Sequence, residues 1–401
     1  MLSRIAAASL LLPLAACGGS AIADSGKVKV DTLPGGIVRT ITSAPIDSGR
    51  WSLELERTVQ PAEGTPGELS APGDLALRED GTLFVAEGDL HQVRSYDTTG
   101  ALIRTFGRNG EGPGEFRSAY IAVHGDTLVV QDPQAARLTT FRVSDGTLLN
   151  TRASVCCNYG SIGIDGTGRA VLRTIVRPDT TRPTSGFARA ALDGATIDTA
   201  TVTDHPRETA ESKRWLVREG KLVRMEMQVP FQPADLHFAD PHGGFLSAWT
   251  GEYLLRTSRN GSDTTAIFGR PRSNAPVTAA EKQAIIEERV SSNKAYWPEA
   301  TLRASFVADA IPNERPAFDW VATDGSGRRW VRRSSADTSI VRFDLFSADN
   351  KWLDVVSVPG NGWPRALYTA TSWSRDHVAV LLEDEGSRPI VKIYRIKHTE
   401  K

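Results

Sequence analysis

The sequence predicts an all-β fold, a six-bladed β-propeller of four-stranded blades, and two observations lead to this prediction. A pattern of four short alternating segments separated by Asp/Gly turns recurs six times along the chain. The sixth copy holds only three segments, and a period-two segment before the first copy can supply the fourth. Four-stranded units repeating every ~40 to 50 residues are typical of a propeller.

The first copy shows the pattern most clearly. Its first two strands lie between Asp74 and Val85, and its last two lie between Val93 and Ile103. Successive side chains of a strand point to opposite faces, so the alternation gives every strand two distinct sides. The later copies occupy 121–130 with 138–148, 162–171 with 188–197, 236–246 with 253–267, 320–331 with 340–353, and 368–382 with 390–396.

Ring closure is predicted to join the two ends of the propeller. The segment 51–59 alternates with period two and precedes the first repeat. It can pair with the last strand of the sixth repeat and leave no open sheet edge. Residues 32–42, with Pro34-Gly35-Gly36 in the middle, are expected to add a small hairpin at the rim.

The N-terminus predicts export and lipid attachment. Residues 1–16 carry Arg4 and then a short apolar run, which is typical of a signal peptide and too short for a membrane span. Leu14-Ala15-Ala16-Cys17 resembles the lipobox of bacterial lipoproteins, which implies acylation of Cys17. Residues 17–27 would form a tether and 28–401 the propeller. Gly18 after the cysteine, where Asp would favour the inner membrane, implies an outer-membrane anchor facing the periplasm.

Composition argues against several partner classes. The chain has 47 Lys and Arg against 48 Asp and Glu, a net charge of -1, so nothing predicts a nucleic-acid surface or a polybasic patch. The seven histidines are spread singly, without the local spacing of a zinc site. Asp324-Gly325-Ser326-Gly327 is interpreted as a hairpin turn and not as a calcium loop. We therefore expect no metal site and no cofactor.

Several segments resemble those of bacterial six-bladed propeller lipoproteins with NHL-like repeats. They are 81–87, 105–116, 229–231 and 324–331, of which Gly110-Glu111-Gly112-Pro113-Gly114-Glu115-Phe116 is the most specific. The resemblance covers residues 50–396. The family usually has Asp after the second strand, and this chain has Glu87 there. The resemblance implies a fold more firmly than an activity.

Two insertions, at about 204–233 and 271–315, interrupt the repeat. Each joins the last strand of one blade to the first strand of the next, so both are expected on the face that also carries the loop 108–117. Thr278 and Glu281 fit a helix capping box, followed by an apolar stripe of Ala284, Ile285, Val290 and Ala295 that ends at Trp297-Pro298. The helix would cover either the channel mouth or blade edges.

Propellers usually bind ligands at the mouth of the central channel. Candidate ligand-binding residues are those that begin inner strands or lie in the neighbouring loop. They are Asp74, Arg108, Glu111, Glu115, Tyr120, Tyr159, Asp235, Asp319 and Tyr368. The same residue types also bond strand ends and turns, so a structural role is the alternative for each.

No catalytic constellation stands out in the sequence. The preferred interpretation is a non-enzymatic binding or scaffolding protein, held on the membrane by its lipid, whose partner is a small molecule, a peptide or an envelope protein. The alternative is a periplasmic hydrolase or lyase that uses a metal ion in the channel. A structural role in an envelope complex is the third possibility.

Cys156 and Cys157 are the only other cysteines. In an oxidising compartment they can form a vicinal disulfide, strained because adjacent Cα atoms lie ~3.8 Å apart. If they continue a strand, their side chains point to opposite faces and stay separate thiols. The mass of the non-reduced protein distinguishes the two states.

The lipid anchor gives a direct prediction. Cys17→Ala should leave the protein unprocessed or release it from the membrane, because the thiol is the acylation site. Membrane fractionation with and without a lipoprotein signal-peptidase inhibitor measures both effects. Unchanged processing and attachment in the variant would contradict lipidation at Cys17.

Overall fold

The computed structural model describes residues 27–154, 162–176, 184–192, 196–201, 213–273, 275–364 and 371–400. The predicted signal peptide, Cys17, Cys156, Cys157, Tyr159 and Tyr368 lie outside these ranges. The described part of the chain begins with three strands, β1 (Val28–Leu33), β2 (Ile37–Thr42) and β3 (Trp51–Val59), and a short 3-10 turn at Pro34–Gly36 joins the first two.

Six four-stranded antiparallel blades follow in sequence order. The first blade consists of β4 (Pro72–Leu77), β5 (Leu83–Glu87), β6 (Gln92–Tyr96) and β7 (Leu102–Phe106). The second consists of β8 (Tyr120–His124), β9 (Thr127–Asp132), β10 (Arg137–Arg142) and β11 (Leu148–Ala153). The third consists of β12 (Ile162–Ile164), β13 (Arg169–Val176), β14 (Thr184–Ala191) and β15 (Thr196–Thr201). A hairpin of β16 (Arg214–Glu219) and β17 (Leu222–Gln228) precedes the fourth blade.

The fourth blade consists of β18 (Asp235–Ala239), β19 (Phe245–Trp249), β20 (Leu254–Ser258) and β21 (Thr264–Gly269). The fifth consists of β22 (Phe318–Thr323), β23 (Arg329–Arg333), β24 (Ile340–Phe346) and β25 (Trp352–Pro359). The sixth consists of β26 (Thr371–Trp373), β27 (His377–Glu383), β28 (Pro389–His398) and the N-terminal strand β3. The six-bladed propeller predicted from the repeat is confirmed.

Each blade is a meander, and this fixes where its loops lie. The connection from the last strand of one blade to the first strand of the next, and the turn between second and third strands, emerge on one face, here called the top face. The other two turns emerge on the bottom face. Asp324 lies in such a bottom turn, where its carboxylate accepts hydrogen bonds from the backbone N–H groups of Ser326 (2.9 Å) and Arg328 (3.0 Å).

Six apolar clusters fill the spaces between adjacent blades. Along β5, Val85 packs toward the sixth blade and Phe84 toward the second, as the alternation of strand side chains requires. Each blade therefore buries both of its faces, and each depends on two neighbours. Such burial contributes roughly 25 cal/mol per Å² of apolar surface.

Ring closure occurs as the sequence predicts. β3 pairs antiparallel with β28, from Val391 opposite Val59 to His398 opposite Trp51. Val59 belongs to the cluster between the sixth and first blades, while Trp51 packs against the cluster between the fifth and sixth. One N-terminal strand thus completes the core on both sides of the last blade.

The N-terminal hairpin lies at the rim of the fourth blade. β1 pairs antiparallel with β2, and β2 pairs in parallel with β21, extending that sheet to six strands. The chain then crosses the fifth blade, where the buried Asp354 accepts hydrogen bonds from the backbone N–H groups of Gly49 (2.9 Å), Arg50 (2.9 Å) and Trp51 (3.0 Å). These bonds place β3 for pairing.

Both insertions emerge on the top face and share one core, forming the insertion subdomain (213–233 and 275–315). The second insertion contains α1 (Ala279–Asn293), α2 (Glu299–Ser305) and a 3-10 turn at Ala308–Ala310. The capping box of Thr278 and Glu281 is present. The shared cluster consists of Trp215, Val217, Val229, Val277, Ile286, Val290, Leu302, Phe306 and Ile311.

The predicted apolar stripe of α1 is partly wrong. Ala284 and Ala295 are exposed, while Ile286, omitted from the stripe, is buried beside Val290. The buried side of the helix is set by Trp215 and Phe306, which come from other elements and which the helix sequence does not reveal. Among the described residues, no helix is long and apolar enough to cross a membrane.

The closure strand gives a test of cooperativity. Deleting residues 51–59 should unfold the whole propeller, because both interfaces of the sixth blade lose part of their core. Deleting the rim hairpin 28–42 is the matched control and should leave a folded ring, since that hairpin pairs outside the fourth blade. Circular dichroism melting measures both variants. A 51–59 deletion that keeps the full melting midpoint would refute the closure scheme.

Candidate functional site

A cleft of about 1400 Å³ lies on the top face, between the fifth, sixth and first blades. Four connections surround it. They are the residues before β4, the β23–β24 loop, the segment after β25 and the β27–β28 turn, all of which emerge on this face. Its lining includes Ala71, Pro72, Asp319, Arg332, Arg333, Ser335, Asp337, Thr338, Ser339, Ile340, Val341, Asn361, Trp363, Pro364, Leu381, Leu382 and Glu383.

One wall of the cleft is apolar and rigidly supported. Ile340, Val341 and Trp363 line it. Behind them, Trp363 packs edge-on against Phe343, with ring centroids 4.8 Å apart. Trp320, Trp330 and Trp373 complete this aromatic cluster between the fifth and sixth blades. Large aromatic side chains fix their neighbours firmly, so the wall is preformed.

The indole N–H of Trp363 is buried and has no hydrogen-bond acceptor within the described residues. A buried donor without an acceptor costs roughly 1–3 kcal/mol. Trp363 lines the cleft, so an acceptor atom on a bound molecule would relieve that cost if it reached the indole nitrogen.

An ion pair lies at the inner end of the cleft. Arg332 Nε donates to Asp319 Oδ1 over 2.6 Å, and Arg332 Nη1 donates to the carbonyl of Pro364 over 3.4 Å. Burial raises the pKa of Asp319 above its ordinary value although Arg332 opposes the shift. Nη2 of Arg332 has no partner among the described residues, so this guanidinium keeps a donor for a ligand.

Arg333 belongs to a second, deeper charge cluster. Its Nε and Nη2 donate to the fully buried Asp344, at 3.0 and 2.7 Å. Asp344 also accepts from Arg270 Nε (2.9 Å) and from the hydroxyl of Tyr253 (2.5 Å), and burial holds the pKa of Tyr253 well above its ordinary value. Two guanidinium groups thus share one carboxylate, which leaves positive charge beside the cleft.

The corresponding position of the first blade has a different role. In the fifth blade, Arg333 of β23 lies opposite Phe318 of β22. In the first blade, Glu87 of β5 takes the corresponding place, opposite Pro72 of β4. Glu87 Oε2 accepts from the backbone N–H groups of Ser70 (3.1 Å) and Ala71 (2.9 Å). Glu87 therefore fixes one border of the cleft.

Of the sequence-based candidates within the described ranges, Asp319 is the one that lines this cleft. Asp74 is buried, and its oxygens accept hydrogen bonds from the backbone N–H groups of Leu75 (2.9 Å) and Ile121 (2.8 Å), joining the inner strands of the first two blades. Burial raises the pKa of Asp74 to about 8. Tyr120 and Asp235 begin the inner strands β8 and β18 and are half-buried.

The loop 108–117 organises itself through its own charges. Arg108 pairs with Glu115 at 2.8 Å, and Arg117 pairs with Glu111 at 2.5 Å. Glu115 Oε2 also accepts a hydrogen bond from the backbone N–H of Gly112 (2.8 Å). Gly110 has φ +149, a backbone conformation that favours glycine.

Among the described residues, no three His, Cys, Asp or Glu side chains are grouped so that they could hold a metal ion. The sequence interpretation missed Arg332, Arg333 and Trp363. The available signal was the doubled arginine after a buried strand, at the place where the first blade has Ala86-Glu87.

Neither the known protein-family models nor the curated proteins include a match to this chain. Among solved structures, 724 chains match. One is the crystal structure of a "Putative exported protein" from Bacteroides fragilis NCTC 9343. It is 10% identical, covers 90% of this chain and 98% of its own, and superposes with a TM-score of 0.45.

Asp74 makes stability depend on pH. Its folded-state pKa of about 8 exceeds the ordinary 3.8, so the folded protein holds the extra proton between these values and unfolding releases it. The free energy of unfolding should therefore fall as pH rises from about 4 to about 8, by ~1.4 kcal/mol per pKa unit at most.

The Asp74→Asn variant isolates this contribution. It should be less stable than the wild type at about pH 5, because an amide nitrogen cannot accept a hydrogen bond from a backbone N–H. Its stability should also vary less between about pH 5 and about pH 8. Urea unfolding across this range measures both. The same slope in wild type and variant would show that another group controls the pH dependence.

Proposed function

We propose that this chain is a lipid-anchored envelope binding protein whose propeller holds an extended ligand, a peptide being the best fit, in the top-face cleft. The cleft itself carries the proposal. Its volume of about 1400 Å³ exceeds the ~300–1,000 Å³ typical of sites for drug-sized molecules. An elongated molecule uses such a groove better than a compact metabolite does.

The chemistry of the lining supports a peptide. Apolar side chains need a firm apolar wall, which Trp363, Ile340 and Val341 supply. The peptide backbone needs donors and acceptors, which the hydroxyls of Ser335, Thr338 and Ser339 offer in the adjoining β23–β24 loop. An acidic group on the ligand would meet the unused N–H groups of Arg332 and Arg333.

The N-terminal sequence supports the envelope location. The apolar run before Cys17, the small residues Ala15 and Ala16, and the resemblance of the repeats to propeller lipoproteins favour export and acylation. Gly18 favours the outer membrane. Attached acyl chains hold a protein on a bilayer without any helix that crosses it.

The hydrolase or lyase alternative requires a metal ion or an acid–base pair at a substrate. Among the described residues no metal-binding group is formed, and Asp319 is occupied by Arg332. No specific observation favours catalysis over binding.

The proposal is tested with peptides. The mature protein carrying Cys17→Ala is mixed with a tryptic digest of envelope proteins, and retained peptides are identified by native mass spectrometry and ranked by calorimetry. Asn361→Trp, at the exposed rim of the cleft, should weaken binding by at least about tenfold, through steric blockage.

Thr98→Trp, in an exposed bottom-face turn, is the matched control and should bind like the wild type. Equal weakening by both variants, or binding that Asn361→Trp leaves intact, would refute the cleft as the site. Hydrolysis of the retained peptides, abolished by a chelator, would favour the enzyme alternative.

A further inference from the structure

The direction of the strands shows where the tether leaves the propeller. β21 is the last strand of its blade and ends at Gly269, so it runs from the bottom face to the top face. β2 lies parallel to β21, from Val38 opposite Ala266 to Ile41 opposite Gly269. β1 is antiparallel to β2, with Val28 opposite Thr42. The described chain therefore begins on the rim where the fourth and fifth blades meet: the N–H of Ser43 donates to the carbonyl of Lys27 (2.8 Å), and the N–H of Trp352, the first residue of β25, donates to Thr42 Oγ1 (3.2 Å).

The insertion subdomain lies on the top face of the fourth blade. One insertion leads into β18 and the other leaves from β21, the first and last strands of the fourth blade. Arg315 joins them, because its guanidinium lies 4.1 Å from the ring centroid of Phe231 and pairs with Glu281 of α1. The subdomain is thus a firmly packed body on the same blade as the N-terminal hairpin.

The β16–β17 hairpin ends in an exposed tip, residues 218–224, that combines apolar and basic side chains. Leu222 is 59% exposed and Val223 is 38% exposed. Arg218 and Lys221 have no acidic partner among the described residues, whereas Arg224 pairs with Glu219 at 2.9 Å. At the base of the hairpin, Trp215 and Val217 are buried in the subdomain core.

Adjacent apolar residues flanked by cations are suited to a bilayer surface. The apolar side chains enter the boundary between headgroups and acyl chains, and Lys and Arg attract anionic headgroups. The net charge of the whole chain conceals this feature, because the basic tip is balanced by acids elsewhere.

The tether is short enough to bring this tip to the membrane. Lys27 lies ten positions after Cys17, so the chain between them spans at most ~35 Å when fully extended. A protein held at this distance meets the surface repeatedly at high effective concentration, so weak contacts suffice for docking.

We propose that the tip 218–224 docks on the anionic phospholipid surface of the membrane that carries the anchor, and so turns the top face and its cleft toward the bilayer. This inference rests on the lipid anchor of the proposed function. The tip binds the headgroup layer of the bilayer. Binding of the tip to a protein is the outcome that would contradict the proposal.

Photocrosslinking of the acylated protein tests the inference. Benzoylphenylalanine replaces Leu222, and the protein is reconstituted in vesicles of phosphatidylethanolamine and phosphatidylglycerol. The matched control places the same probe at Ile103, which is 52% exposed on the first blade. Phospholipid adducts, measured by mass, should be at least about tenfold more abundant at position 222. Arg218→Glu with Lys221→Glu should reduce them several-fold, because the headgroups repel the new charges.

The outcomes separate the anchor from the docking. Vesicle flotation reports attachment independently of the crosslink. Protein that does not float overturns the proposed anchor and this inference with it. Protein that floats but gives equal lipid adducts at both positions overturns the docking alone. Adducts of position 222 with an envelope protein and not with lipid, when native membranes replace the vesicles, also overturn it.

Discussion

The pairing of β3 with β28 is the constraint on which the rest of this structure depends. A propeller blade buries both faces only when the ring is complete, and the sixth blade obtains its outer strand from the opposite end of the chain. Asp354 fixes the entry of β3, while Val59 and Trp51 complete the cores on either side. The cleft lies beside this blade, so its walls depend on closure as well.

The arrangement of the blades in a closed ring also determines which loops lie on the same face of the propeller. Once every blade runs as a meander from the channel outward, the connections between blades must emerge together. The cleft and the insertion subdomain both lie on this top face for that reason. The proposed docking of the hairpin tip would therefore set how the cleft is presented to partners.

Much of the fold could be predicted because period-two alternation and Asp/Gly turns are local signals. The closing strand followed from counting strands, and the capping box of α1 from its own residues. The buried side of α1 could not be predicted, because Trp215 and Phe306, far apart in sequence, decide it. Of the residues that line the cleft, Asp319 could be selected because it lies at the start of an inner strand. Trp363 and the two adjacent arginines could not, because they line a cleft only where two blades meet. The basic tip was readable in the sequence and was hidden by averaging charge over the chain.

Native-state hydrogen exchange tests the closed ring most directly. If β3 is an integral part of the ring, its hydrogen-bonded amides open only when the whole propeller unfolds. Their opening free energy should then equal that of the slowest amides of β5 (Leu83–Glu87), and denaturant should lower both with the same slope. Exchange of the β3 amides at a clearly lower free energy, with little denaturant dependence, would mean that the strand detaches locally and that the ring does not depend on it.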